Sequence, residues 1–213
     1  MNVKVLTPPA RGILWVVAAP SGAGKSTLVK ALLEQEPGME LSISYTTRRP
    51  RPAESEGRHY HFIERSEFEQ RVAAGAFLEH AEVHGNLYGT SHPAVEQALV
   101  AGRDLVLEID WQGARQIRAL LPCVGIFILP PSRDELERRL RVRGADSEAV
   151  IECRLHNLRE EVRHTGEFDY LLVNDRFEEA LEKLRSIVHA VRLQRDHVLP
   201  GLQTLLHSLL KGG

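Results

Sequence analysis

The 213-residue chain has little of several things, and each shortage excludes something. Its two cysteines, Cys123 and Cys153, make no CxxC or other metal spacing and no disulfide framework, which fits a reduced, cytoplasmic compartment. No apolar run approaches the roughly 20 residues of a membrane span, so no membrane partner is expected. Residues 1–12 hold no continuous apolar stretch of a secretory signal, and the segment ending in Thr7-Pro8-Pro9 reads as a frayed tail. Charge of one sign is also missing: Lys plus Arg number 27 against 29 Asp plus Glu, which argues against a general nucleic-acid binder. Repeats and low-complexity segments are absent. The length suits one well-buried core with excursions.

What is there begins with Ala19-Pro20-Ser21-Gly22-Ala23-Gly24-Lys25-Ser26-Thr27, between an apolar run (Ile13 to Ala18) and a segment of helical period. Strand, glycine-rich turn and helix in that order let consecutive backbone N–H groups converge on phosphate oxygens, with the positive end of the helix dipole behind them. Lys25 can then reach β/γ-phosphates, and the Ser26 hydroxyl is placed to ligate a Mg²⁺ shared with the nucleotide. The full G-x-x-x-x-G-K-[ST] form lacks its first glycine here, where Ala19 stands; alanine suffices if φ is negative.

Down the chain, Pro37-Gly38 ends the first helix near Glu36, and Leu41 to Ser44 is a short strand candidate before a proline-rich loop, Thr46 to Pro52. Tyr60 to Ile63 reads as a strand, Ser66 with Glu69 as a capping box, and Phe77 to Val83 with Leu87-Tyr88 as a hairpin about His84-Gly85-Asn86. Ser91 caps a helix that Gly102 follows. Leu105 to Ile109 and Val124 to Leu129 are strands apolar enough to be buried on both faces. Ser132 with Glu135 opens a helix ending at Gly144; then come a helix from about Ser147 to His164, a strand over Tyr170 to Val173, and a helix from Phe177 to about His197, broken by Pro200-Gly201. The alternation predicts an α/β fold with a mostly parallel sheet flanked by helices and a small β-rich excursion over about 41–90. In the tail, Leu202, Leu205, Leu206, Leu209 and Leu210 share one helix face, which packs on the chain's own frame or serves a homo-oligomer contact.

Two arginine clusters point to anions. Arg48, Arg49 and Arg51 lie in the proline-stiffened loop, where guanidinium forks suit a second phosphate facing the first site, or are simply solvated. Arg139 and Arg143, four apart on one helix face, repel unless an anion lies between them or Glu135 and Glu137 neutralise them.

Seven spaced blocks then carry a resemblance: Ser21 to Thr27, Ser44-Tyr45-Thr46-Thr47-Arg48, Gly57-Arg58-His59-Tyr60, Phe77-Leu78-Glu79, Gly85 to Thr90, Ile109-Asp110-Trp111-Gln112-Gly113, and Pro130-Pro131-Ser132 followed by Arg139-Leu140 and Arg143-Gly144. In this order, from about residue 12 to 197, the sequence resembles guanylate kinases of bacterial type. The resemblance implies a P-loop core (about 12–43, 96–135 and 166–197), a GMP-binding insertion (about 44–95) and a mobile helical lid (about 136–165), with ATP and GMP as substrates and Mg²⁺ accompanying ATP. It implies that Arg48, Arg51, Tyr60 and Tyr88 hold the GMP phosphate and that Ser44, Glu79 and Thr90 read guanine. Arg139, Arg143 and Arg154 would close on the ATP phosphates, with Asn174 near the adenine end. Asp110 matches the family pattern; Glu108 departs from it, since Asp is usual there, and its reach toward GMP or the Mg²⁺ waters is in question. A peptide-binding scaffold is the rival from another class, and a P-loop kinase with a different acceptor is the nearer one.

Overall fold

The computed structural model describes residues 11–211 apart from 52, 53, 84, 145 and 146, and the side chain of Arg143 also lies outside the described residues. The expected frayed tail at Thr7 to Pro9 therefore falls outside them, as does His84.

The principal sheet is fully parallel. Its strands are β1 (Leu14–Ala18), β2 (Met39–Leu41), β7 (Asp104–Glu108), β8 (Val124–Leu129) and β9 (Tyr170–Val173), in the order β2-β7-β1-β8-β9. Alternation along β1 explains the layers: Trp15 and Val17 join Leu28, Leu32, Leu184 and Val188 on one face, while Leu14 and Val16 join Val95, Leu99, Ala114 and Ile117 on the other. The helices covering the first face are α1 (Lys25–Gln35) and α7 (Phe177–Arg192); those covering the second are α3 (His92–Val100) and α4 (Trp111–Leu120). A strand buried on both sides has no room for a polar face, which is why β1 and β8 read as unbroken apolar runs.

The second sheet, order β4-β3-β6-β5, holds β3 (Tyr45–Thr46), β4 (His61–Phe62), β5 (Phe77–Val83) and β6 (Asn86–Ser91), with α2 (Arg65–Ala73) between β4 and β5. Helices α5 (Arg133–Arg143) and α6 (Glu148–Arg163) pack on each other through Leu136, Leu140, Ile151 and Leu155, a small core of their own. At the edge where the parallel strands begin, Glu36 (4 % exposed) accepts from Arg185, His189 and Arg192, and Arg192 also donates to Asp104. These charges are paired on every side, which is what lets a carboxylate stay buried.

Four local expectations need correction. The strand expected at Leu41 to Ser44 ends at Leu41, because the chain leaves β7 after the Ser42 N–H bonds the Val106 carbonyl and crosses to the second sheet at Tyr45. Ser66 caps nothing: α2 begins one residue earlier behind Glu64, whose backbone is extended, so Ser66 lies within the first turn. Ser132 does accept from the Glu135 N–H at 3.1 Å, but Glu135 turns away from the cap to bind Arg138 and Arg139. Pro200-Gly201 does not break the last helix. The chain breaks at Leu193-Gln194, and Pro200 lies inside α8 (Arg195–Leu210), where the N–H it lacks would have served exposed Asp196.

Candidate active site

The carboxyl ends of β1 and β7 open into one cleft of about 750 Å³, the place where a parallel sheet of this kind receives ligands. The loop after β1 forms its floor. Gly22 (φ 95°) and Gly24 (φ 90°) are left-handed, and the buried Ala23 N–H closes a turn onto the Pro20 carbonyl at 3.0 Å. Ala19 packs its methyl against the core. Lys25, at the start of α1, donates its Nζ to the Ile109 carbonyl at 3.3 Å; burial lowers its pKa, opposed by the charges of Glu108, Asp110 and Glu161. Ser26 Oγ donates to Glu108 Oε2 at 2.5 Å, so the glutamate that departs from the family pattern still reaches the P-loop hydroxyl. Pro20, Ser21, Gly22 and Thr27 line the same wall.

The opposite end is lined by Ser44, Tyr60, Glu79 and Tyr88. Glu79 is 3 % exposed, and fully buried Thr90 donates to its Oε1 at 2.6 Å from behind. Burial, with the nearby charge of Asp110, pushes the Glu79 carboxyl up to about 7. Arg48 donates to Glu54 Oε1 at 2.8 Å and lies 5.5 Å over the Tyr60 ring. The other oxygen of Glu54 accepts from the Arg51 N–H at 2.8 Å, so one carboxylate ties both arginines of the loop. The Arg51 residue is exposed, and neither it nor Arg48 is among the cleft-lining residues. Asp110 lines the cleft and also caps α4, accepting from the Gly113 N–H at 2.8 Å.

From the third side come α5 and α6. Arg139 donates to the Asn174 carbonyl at 3.0 Å and Arg154 to Ser21 Oγ at 2.8 Å. Along α5, Glu135 binds Arg138 and Arg139, which hold its carboxyl down at about 2, and Glu137 binds Arg141. Arg143 ends α5, with its side chain outside the described residues. Asn174 is buried and donates to the Ala23 carbonyl at 2.8 Å, supporting the loop backbone, and is not among the cleft-lining residues.

The family model for guanylate kinase matches residues 11–191. A guanylate kinase of Dechloromonas aromatica is 60% identical over 84% of this chain and 89% of its own, and one of Methylobacillus flagellatus is 52% identical over 94% and 100%. A crystal structure of guanylate kinase from Anaplasma phagocytophilum superposes with a TM-score of 0.77 at 35% identity, over 94% of this chain and 96% of that one. The chain belongs to the guanylate kinase family.

Several residues of this guanylate kinase cleft escaped the sequence reading. Asn157, Glu160 and Glu161 line it from α6, and the carboxyl of half-buried Glu161 is pushed up to about 7 by desolvation and the charge of Asp110, while Lys25 and Arg154 pull it back. The signal was available, because Arg154, Asn157 and Glu161 recur at helical spacing on one face. Trp111 lines the cleft, with the His164 ring stacked on it at 3.6 Å and the Arg115 guanidinium 5.0 Å from its ring centroid. No spacing announces that pair. In the acceptor-side loop, His59 accepts from the Ser55 N–H and His61 pairs with Glu56.

Proposed function

We propose that this chain transfers the γ-phosphoryl group of ATP to GMP, giving ADP and GDP. One observation carries the reading: a phosphate-binding loop and a buried carboxylate suited to guanine face each other across a single cleft. Guanine alone among the bases presents two adjacent donors, N1–H and the 2-amino group, to such a carboxylate. In the roles assigned here, Ser44, Glu79 and Thr90 hold the base, Tyr60, Tyr88, Arg48 and Arg51 the acceptor phosphate, and Ala19 to Thr27 the donor phosphates. Lys25, Arg139, Arg143 and Arg154 neutralise charge on the group in flight. The acceptor phosphate is already ionised, so no general base is needed and catalysis is alignment plus electrostatics.

Ser26, Glu108 and Asp110 present hard oxygen donors toward the donor-phosphate end, a set that suits Mg²⁺ arriving with ATP. Bound there, the ion would supply charge neutralisation between β- and γ-phosphates. The division into core, acceptor insertion (about 44–95) and lid (about 136–165) is part of the same proposal. No helix of the described residues is long and apolar enough to cross a membrane, and both cysteines are free; we place the reaction in the cytoplasm on that composition. The leucine face of α8 is exposed rather than packed on the frame, which leaves the homo-oligomer contact as the proposed use.

The test is ADP release measured with GMP, dGMP, AMP, CMP and UMP as acceptors, on the parent and on Lys25→Ala. GMP should be strongly preferred, and the variant should lose about 10³-fold or more in kcat while still binding GMP. Near-normal turnover by Lys25→Ala, or no preference among acceptors, overturns the reading.

A further inference from the structure

Glu79 belongs to the acceptor insertion, yet the wall behind it is α4 of the core. β5 is the edge strand of the second sheet, and its register with β6 shifts between Phe77 and Glu79. A regular strand alternates its faces; here Leu78 and Glu79 are buried in succession. The irregularity aims Glu79 inward, toward the first turn of α4. There the helix carries glycine: a Cβ on Gly113 would lie 2.7 Å from Glu79 Oε2 and 3.2 Å from its Cδ. Any other residue must displace the carboxylate. One turn along the helix, Gln116 Oε1 accepts from the His80 N–H at 3.2 Å and Gln116 Nε2 donates to the His80 carbonyl at 3.0 Å. A side-chain amide thus stands where a further strand would pair, holding the residue adjacent to Glu79. The Gly113 N–H in turn is bonded to cleft-lining Asp110, which anchors that end of the helix.

We propose that Gly113 and Gln116 are positioning residues for base selection: Gly113 sets how deep the Glu79 carboxylate sits, and Gln116 pins the strand that carries it. The inference rests on Glu79 reading guanine. Two fixed acceptors facing two donors tolerate errors of only about half an ångström before discrimination is lost. Gly113→Ala drives the carboxylate toward the base, and Gln116→Ala releases the edge of β5. Neither residue lines the ATP end of the cleft.

Kinetics for GMP, AMP and ATP in Gly113→Ala, Gln116→Ala, Glu79→Gln and the two doubles containing Glu79→Gln, with thermal melts alongside, test this. Each α4 single variant should raise KM for GMP about tenfold or more, narrow the GMP/AMP ratio, and leave KM for ATP within about twofold. Both losses should largely vanish in the Glu79→Gln background, since the group being positioned is gone. Glu79→Asp, one methylene shorter, should restore part of the Gly113→Ala loss. If Glu79→Gln keeps the parental GMP/AMP ratio, the reading of Glu79 fails. If Glu79→Gln loses that ratio while the α4 variants keep theirs, or their losses add in full to that of Glu79→Gln, the α4 assignment fails and the reading of Glu79 stands. Should Gly113→Ala not fold, the Gln116→Ala cycle decides alone.

Discussion

Glu79 carries its burial as a chemical cost. Its carboxyl moves from 4.5 to about 7 because charge is poorly solvated between β5 and α4. The folded value lies above the unfolded one, so the native state holds the proton more tightly. That contribution to stability is complete below about 4.5 and is lost as pH rises through 7, a difference on the order of 3 kcal/mol. GMP reverses the preference, since two donors on the base require the ionised form. Binding GMP should therefore release a proton at pH 6, with affinity falling up to about tenfold per pH unit below 7 beyond what the nucleotide's own phosphate, ionising near 6, accounts for. Glu79→Gln keeps the oxygen that accepts from Thr90 and cannot ionise. Its melting temperature should rise relative to the parent between pH 5 and 8, while its GMP affinity loses this pH dependence. Parallel stability profiles for the two proteins would show that Glu79 does not titrate in this range.

At the scale of elements, the P-loop is shaped as much by its neighbours as by its own glycines. α5 lies directly on Gly22: a Cβ there would come within 2.8 Å of Leu140 and 3.0 Å of Leu136. Asn174, at the end of β9, closes on Gly24 in the same way, at 2.4 Å. Gly22→Ala therefore meets both a left-handed φ, worth about 1–2 kcal/mol, and a clash with the small core between α5 and α6. KM for ATP should rise about tenfold or more while calorimetry finds GMP binding nearly unchanged; an equal loss at both sites would mean that the two ends of the cleft are not separable. The glycines announced a turn in the sequence, but not what presses on it. The same division runs through the whole site. β8 and β9 were legible because continuous apolar runs have one explanation in an α/β chain, and the β5–β6 hairpin because its strands flank a glycine turn. α4 went unread although Asp110 caps it, since Trp111, Gln112 and Gly113 resembled a family block before they resembled a helix. Glu54, which ties Arg48 to Arg51, is one more acid in a polar loop until the chain is folded. Local patterns are visible in sequence; a contact between Gly113 and Glu79, brought together only by the fold, has no local pattern to leave.

Over the whole molecule, the parallel sheet separates chemistry from the C-terminus. The cleft lies at the carboxyl ends of the strands, whereas the last turn of α7 is fastened by Arg192 to Asp104, where β7 begins, and to Glu36. α8 therefore leaves from the edge of the sheet away from the cleft. Pro200 to Lys211 is exposed throughout, with Leu205, Leu209 and Leu210 at 53%, 67% and 84%. A segment that buries so little contributes little to the folding free energy, which scales with apolar area removed from water. Ending the chain after Leu199 should leave kcat unchanged and shift the melting temperature of the dilute protein by less than about 2 °C, a change of at most about 1 kcal/mol for a chain of this size. If the leucine face meets a second copy, the deletion should also abolish a concentration-dependent rise in melting temperature and lower the mass seen by sedimentation. The two readouts separate cleanly, because self-association vanishes on dilution while intrachain packing does not. A drop of several degrees in the dilute truncated protein would show that α8 is part of the folded core.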